Sequence, residues 1–225
     1  MFFAYNRMYF MYKSIKDREL IRIIKENVSP GMVALDIGAF IGFYTLVLSK
    51  IVGGNGKVYA FEPGSANFLH LKANTAKKSN VTIANYAVGE KQSKVPLYIS
   101  SDLGFDHQCF DIGEGRERVE VDCIAIDDYL NNNERIDFVK IDIEGYDYYA
   151  VKGMQKTIKR SPRVFMCGEL WPYALKRANA SVAAYIGLLH DLGFKVTINC
   201  KKDIKEFKRS NDKLFMANFF ALKEK

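Results

Sequence analysis

Ala34-Leu35-Asp36-Ile37-Gly38-Ala39-Phe40-Ile41-Gly42-Phe43-Tyr44-Thr45 is an apolar run that ends in an acid, followed by a turn with two glycines and the start of an amphipathic segment. One helix-length on, Val58-Tyr59-Ala60-Phe61-Glu62-Pro63 is a second apolar run closed by an acid. Strand, glycine turn, helix, strand and acid, in that order, open a doubly wound α/β fold, which holds an adenosine-containing ligand where the strand order reverses.

Glycine spacing narrows the ligand. A dinucleotide fingerprint needs G-x-G-x-x-G, so that backbone can close around a pyrophosphate at a helix N-terminus. Here the glycines are Gly38 and Gly42, which argues against a nicotinamide oxidoreductase. The Asp36 carboxylate, two residues before Gly38, is expected to face the ligand, where it repels a dianion and suits a cation. S-adenosylmethionine carries a sulfonium and an ammonium. Glu62 is placed for two hydrogen bonds from ribose hydroxyls. A turn that binds nothing is the simpler reading of the glycines alone. Asp36, Gly38, Gly42 and Glu62 in register with two strands outweigh it.

Outward from this unit, Ser14 is expected to cap a helix with Leu20, Ile23, Ile24 and Val28 on one face, ending near Ser29-Pro30-Gly31. Apolar runs predict strands over 32–37, 57–62, 81–84, 137–143, 163–170, 194–200 and 215–222, with helical spacing between most of them. This makes an α/β protein with a seven-stranded sheet. Residues 1–30 read as an aromatic arm and helix, and 31–225 as the main domain with an insertion around 93–125. Within the insertion, 95–100 and 119–125 are expected to pair around a polar loop, 101–118, that carries His107. A loop of that length in a compact domain is functional or disordered. The predicted strand ends carry Asp36, Glu62, Asn85, Asp142 with Glu144, and Glu169, which converge on one crevice.

The 225 residues fit one domain, and 48% hydrophobic with 26% charged content is that of a soluble globular chain. No apolar run approaches the roughly 20 residues that cross a bilayer. The start lacks the order of charge, apolar core and small residues of a signal peptide, so a cytoplasmic location is expected. Cys109, Cys123, Cys167 and Cys200 have no zinc-site spacing, and Cys167 and Cys200, in predicted strands, read as buried reduced thiols. A net charge of +7 tolerates anionic partners. Its densest stretch, Lys201, Lys202, Lys205, Lys208 and Arg209, reads as solvated surface. Without interleaved aromatics it is a poor nucleic-acid footprint.

Asp36-Ile37-Gly38-Ala39, Gly42-Phe43-Tyr44-Thr45, Phe61-Glu62-Pro63, Asn85-Tyr86-Ala87-Val88-Gly89, Ile126-Asp127-Asp128-Tyr129 and Lys140-Ile141-Asp142-Ile143-Glu144-Gly145 together resemble the FkbM family of S-adenosylmethionine-dependent methyltransferases. The resemblance spans about residues 30–200. The family often has Asn at Phe40 and a second Glu at Asp147. It implies a class I methyltransferase, a Rossmann-like mostly parallel sheet with helices on both faces and an antiparallel last strand. It implies S-adenosylmethionine as cofactor, with Asp36, Gly38, Ala39 and Gly42 around its methionine part and Tyr44, Thr45 and Asp142 as further cofactor contacts. Glu62 and Pro63 would lie at the ribose, and Asn85 with Ala87 at the adenine. The acceptor it implies is a hydroxyl of a sugar or glycan, with a polyketide-like small molecule as the alternative. A homodimer or a fusion to a glycosyltransferase is compatible with the family.

O-methyl transfer aligns donor and acceptor in line and must dispose of the hydroxyl proton. Either Asp142 or His107 takes it, or Asp142 and Glu169 hold Mg or Mn that acidifies the hydroxyl. Glu144 is a reactive acid or a loop-fixing one. Trp171 stacks on a sugar or packs in the core, and His70 and His190 are structural. RNA ribose methylation is the nearest rival. It calls for a lysine among the strand-end residues, where the fifth strand offers Glu169. A cofactor-binding module without catalysis would have lost Asp142 or Glu144, and both are present.

Overall fold

The computed structural model describes residues 2–99, 107–109, 115–199, 212, 213 and 215–224, without the side chains of 2–5. Most of the 101–118 loop, Cys200 and the 201–209 basic stretch lie outside the described residues. Two helices, α1 (Phe2–Lys16) and α2 (Arg18–Asn27), precede the sheet. There follow β1 (Val33–Ile37), α3 (Phe43–Val52), β2 (Lys57–Phe61), α4 (Ser65–Thr75), β3 (Val81–Ala84), β4 (Ala87–Val88), β5 (Ser93–Ile99) and β6 (Glu117–Ile124). The remainder is α5 (Ile126–Tyr129), β7 (Phe138–Ile141), α6 (Asp147–Lys152), α7 (Gln155–Arg160), β8 (Val164–Leu170), α8 (Pro172–Arg177), α9 (Val182–Asp191), β9 (Phe194–Asn199) and β10 (Ala217–Lys223).

The main sheet has seven strands in the order β3-β2-β1-β7-β8-β10-β9. Its pairs are parallel except those of β10, which runs antiparallel to β8 and β9. This is the expected class I methyltransferase sheet with an inverted last strand. The order reverses between β1 and β7, so their carboxyl ends open a crevice. The insertion forms a second sheet, in which β5 and β6 pair antiparallel as expected. The two-residue β4 joins β6, a pairing too short to show as a sequence pattern.

Alternation along each strand sorts the core into two layers. Leu35, Ile37, Val139, Ile141 and Met166 face one layer, packed by α5, α6, α7 and α9. Ala34, Phe138, Phe165 and Cys167 face the other, packed by α2 and α3. The same parity sends Asp36, Lys140 and Glu169 toward the second layer, and this places the polar site. Cys167 is a buried free thiol, as expected.

The N-terminal region differs from its sequence reading. α1 runs through Ser14, whose hydroxyl donates back to the Phe10 carbonyl at 2.7 Å instead of capping α2. The chain breaks at Asp17, where φ is −101° and ψ 24°. That carboxylate caps no backbone N–H, because it pairs with Lys13 and accepts the Tyr44 hydroxyl at 2.5 Å. Asn6, 3% exposed, ties α1 to α4 through Asn74 (3.1 Å) and His70 (3.0 Å).

Candidate active site

A cavity of about 400 Å³ opens at the carboxyl ends of β1, β2, β7 and β8, within the range of small-ligand sites. Its far end is built on β2. Glu62, 5% exposed, accepts the backbone N–H of Phe40 and of Gly64, each at 2.9 Å. The Asn67 side chain is a third hydrogen-bond partner of this carboxylate, whose remaining lone pairs suit a ligand hydroxyl. Burial pushes its pKa up to about 7, against the pull of the Gly64 and Phe40 N–H groups. His107 lies against Gly64 so closely that a Cβ there would sit 2.8 Å from its ring and 2.9 Å from Glu62 Oε1. His107 therefore stands at the Glu62 end, two strands from Asp142, or roughly 10 Å at normal strand spacing. Phe61, Tyr86, Ala87 and Leu97 add apolar walls.

Gly38 and Phe40 shape the turn between the two ends. Gly38 has φ 84°, and a Cβ on it would lie 2.1 Å from the Asp142 carbonyl oxygen. Phe40 has φ 51°, a left-handed conformation that Asn tolerates far better than an aromatic residue. Its N–H bond to Glu62 and an edge-on contact with Tyr9, ring centroids 5.3 Å apart, hold it there.

The near end gathers charge. Lys140, 4% exposed, is flanked in the sheet by Asp36 on β1 and Cys167 on β8. Its ammonium donates to Asp142 Oδ2 at 3.0 Å and lies 4.8 Å from the Tyr44 ring centroid. Burial works to lower its pKa, but Asp142 and Asp36 hold it above the usual lysine range. Asp36 is fully buried, and desolvation raises its pKa against the pull of Lys140 and the Thr45 hydroxyl. Glu169 lines the cavity one strand over from Asp142, and burial with the Asp142 charge pushes its pKa up to about 7. α1 walls this end with Tyr9, Tyr12, Lys13 and Lys16.

Of the expected residues, Gly38, Ala39, Tyr44, Glu62, Pro63, Ala87, His107, Asp142, Glu144 and Glu169 line this cavity. Four expected contacts do not. Asp36 is 0% exposed and accepts the Thr45 hydroxyl at 2.6 Å. Strand parity turns it under the glycine turn, where it balances Lys140. Thr45 is buried with it. Gly42 supplies the left-handed start of α3, and a Cβ on it would meet Leu71. Asn85 is exposed and donates to the Glu62 and Pro63 carbonyls, which steadies the end of β2. Asp147 accepts the Gly145 N–H at 2.9 Å and so fixes this loop, and Glu144 lines the cavity with φ 54°. Trp171 packs against the Ala174 and Ala178 cluster and beside Tyr173, and does not line the cavity. Lys140 escaped the sequence reading, which also left the aromatic arm open between a lid, a dimer contact and a linker. The signal for Lys140 was there, a single charge inside an otherwise apolar central strand, Phe138-Val139-Lys140-Ile141.

Lys140 competes with a divalent ion for Asp142 in the expected Asp142–Glu169 site. The Lys140 ammonium already occupies one Asp142 oxygen. Among the described residues no group of three or more His, Cys, Asp or Glu side chains could hold a metal. Saturating EDTA is accordingly expected to leave turnover unchanged within error, measured as methyl transfer before and after chelation.

Among the described residues no helix is long and apolar enough to cross a membrane. No match was found among curated protein sequences. Three solved structures share the fold at low identity. Methyltransferase FkbM from Methylobacillus flagellatus KT is 18% identical with a TM-score of 0.53, over 89% of this chain and 50% of that one. A SAM-dependent O-methyltransferase from Thermotoga maritima is 18% identical with a TM-score of 0.52, over 93% and 65%. Fibrillarin from Aeropyrum pernix, with natively bound S-adenosyl-L-methionine, is 13% identical with a TM-score of 0.52, over 91% and 74%. The chain thus spans half the length of the first of these and about two thirds of the second. The family profile for the methyltransferase FkbM domain matches residues 36–196, and the chain belongs to this family of S-adenosylmethionine-dependent methyltransferases.

Proposed function

We propose that the protein transfers a methyl group from S-adenosylmethionine to a hydroxyl of a sugar or glycan. The carrying observation is the pair of acids at the ends of adjacent strands, Asp142 and Glu169, with Glu169 raised to about 7. A carboxylate whose pKa lies near the working pH is a suitable acceptor for a hydroxyl proton. Asp142, fixed by Lys140, is the positioning acid that orients the acceptor hydroxyl, and Glu169 takes its proton. Polar groups at the mouth, Tyr12, Lys13, Lys16 and Glu144, suit a hydroxyl-rich acceptor.

The cofactor's residues follow from the same cavity. Glu62 receives the ribose hydroxyls, and His107 covers that end as a cofactor contact. Gly38 and Ala39 let the methionine part pass close to the turn, so that its sulfonium faces the acid pair. When bound, the cofactor supplies the electrophilic methyl group. A ribose hydroxyl is the second reading, favoured by the lysine that Lys140 does place among the strand-end residues.

Cofactor affinity should depend on pH through Glu62. Ribose hydroxyls donate to the ionised carboxylate, so binding favours loss of its proton. Affinity for S-adenosylhomocysteine is then constant above pH 7 and falls up to about tenfold per unit below it. Calorimetry across pH 5.5–8.5 checks this, and Glu62→Gln should flatten the profile. The acceptor class is tested by radiolabelled methyl transfer to a panel of monosaccharides, nucleotide sugars, small phenols and RNA. Transfer to the phenols alone, or to RNA alone, contradicts the sugar reading.

A further inference from the structure

The outer face of α1 and the groove beside it meet the methyl-transfer reading only at Tyr12, Lys13, Lys16 and Phe43, which line the cavity. On α1, Met8, Met11, Tyr12 and Ile15 are 72%, 63%, 55% and 77% exposed. They stand at i, i+3, i+4 and i+7, a single stripe on the outside of the helix. α1 contains no acidic residue, and carries Arg7, Lys13 and Lys16. A groove opens beside it against α2 and α3. Its apolar lining is Ile21, Phe43, Val47 and Ile51, and its charged lining is Lys16, Arg18, Arg22, Lys25 and Lys50 against Glu19. Ser14 and Lys16, the chain neighbours of Ile15, line the groove, so it reaches the same end of α1 as the stripe. Lys16 and Phe43 also line the catalytic cavity, so this face borders its mouth.

The occupant must satisfy both halves of this face. A second copy would bury the stripe but oppose one cationic rim with another. A nucleic acid would meet the charges and leave Met8, Met11 and Ile15 in water. An anionic bilayer takes both, with the apolar stripe at the acyl boundary and the basic rim at the headgroup phosphates. We propose that α1 and the adjoining α2–α3 groove dock the protein on an anionic lipid surface, with the mouth of the cavity beside that surface. Docking needs no methyl transfer, and an acceptor carried on a lipid would meet the cavity there.

The test is flotation of the full chain with vesicles of phosphatidylcholine alone or mixed with phosphatidylglycerol. Binding to the mixed vesicles and not to the neutral ones is expected, weakening as added salt screens the charges. Each basic residue near such a surface contributes roughly a fivefold effect, so Arg18→Glu, Lys25→Glu and Lys50→Glu together should weaken binding by at least about a hundredfold. Met11→Ser with Ile15→Ser should also release the protein. All five positions lie outside the catalytic cavity, so S-adenosylhomocysteine binding and Tm should be unchanged in both variants, which separates lost docking from lost folding. Four results would each overturn the proposal: no vesicle binding, equal binding to both compositions, displacement by millimolar inorganic phosphate alone, or RNA binding that the same variants abolish without any vesicle binding. A dimer that Met11→Ser with Ile15→Ser dissociates, with no lipid binding, would also overturn it.

Discussion

Glu169→Gln is expected to lower kcat by about 10²- to 10⁴-fold, the usual contribution of a positioned general base. The glutamine keeps the shape and one acceptor oxygen but cannot hold a proton. Because burial and the Asp142 charge raise the Glu169 pKa to about 7, the base form is gained as pH rises through that value. Wild-type kcat should therefore fall below pH 7, and the residual rate of the variant should lose that limb. S-adenosylhomocysteine affinity should change little, which separates loss of the base from loss of the cofactor. A fall in affinity that matches the fall in kcat would make Glu169 a binding residue instead. Asp142→Asn should also lower kcat, with the limb near pH 7 retained if Asp142 orients the hydroxyl and Glu169 takes its proton.

Lys140→Met is expected to have the largest effect on stability, about 3–5 kcal/mol, the cost of leaving a buried charge without its partner. Asp36 is 0% exposed, and one of its oxygens has no hydrogen-bond partner among the described residues. Its compensation comes from Lys140 and from the Thr45 hydroxyl. Without Lys140, Asp36 can escape the cost by taking up a proton, so the loss should be smaller at pH 5 than at pH 8. Adding Asp36→Asn should restore much of the stability, because the orphaned charge is then gone. Urea unfolding of the two single variants and the double variant closes the cycle. A loss in the double variant equal to the sum of the two single losses would show that Asp36 and Lys140 do not interact.

Sheet and switch point were legible because both are written in period and punctuation. Parallel strands buried on both faces read as unbroken apolar runs, and Gly38 and Gly42 mark the turn. The family match extends this reading over residues 36–196. The roles of individual acids were less legible. Asp36 and Glu62 look alike in the sequence, each closing an apolar run. Strand parity and the Thr45 hydroxyl turn Asp36 under the sheet, while Glu62 sits past the last β2 residue and is drawn to two backbone N–H groups. His107 sits on a long connection, whose landing place no local pattern fixes. Ser14 is a good capping residue by type, yet the helix break is set by Asp17 and its long-range partner Tyr44, 27 residues away. Phe40 breaks the local preference for Asn at a left-handed position, and the reason is the contact with Tyr9 on a helix that the periodicity did not predict.

The central claim is that the cavity between Glu62 and the Asp142–Glu169 pair holds S-adenosylmethionine. Calorimetric titration of S-adenosylhomocysteine at pH 8, into the wild-type chain and into Glu62→Ala, tests it most directly. One bound ligand per chain, with affinity at least about tenfold weaker in the variant for the loss of charge-assisted hydrogen bonds, is the expected result. Absence of binding to the folded wild-type chain, or equal affinity for both proteins, would contradict it.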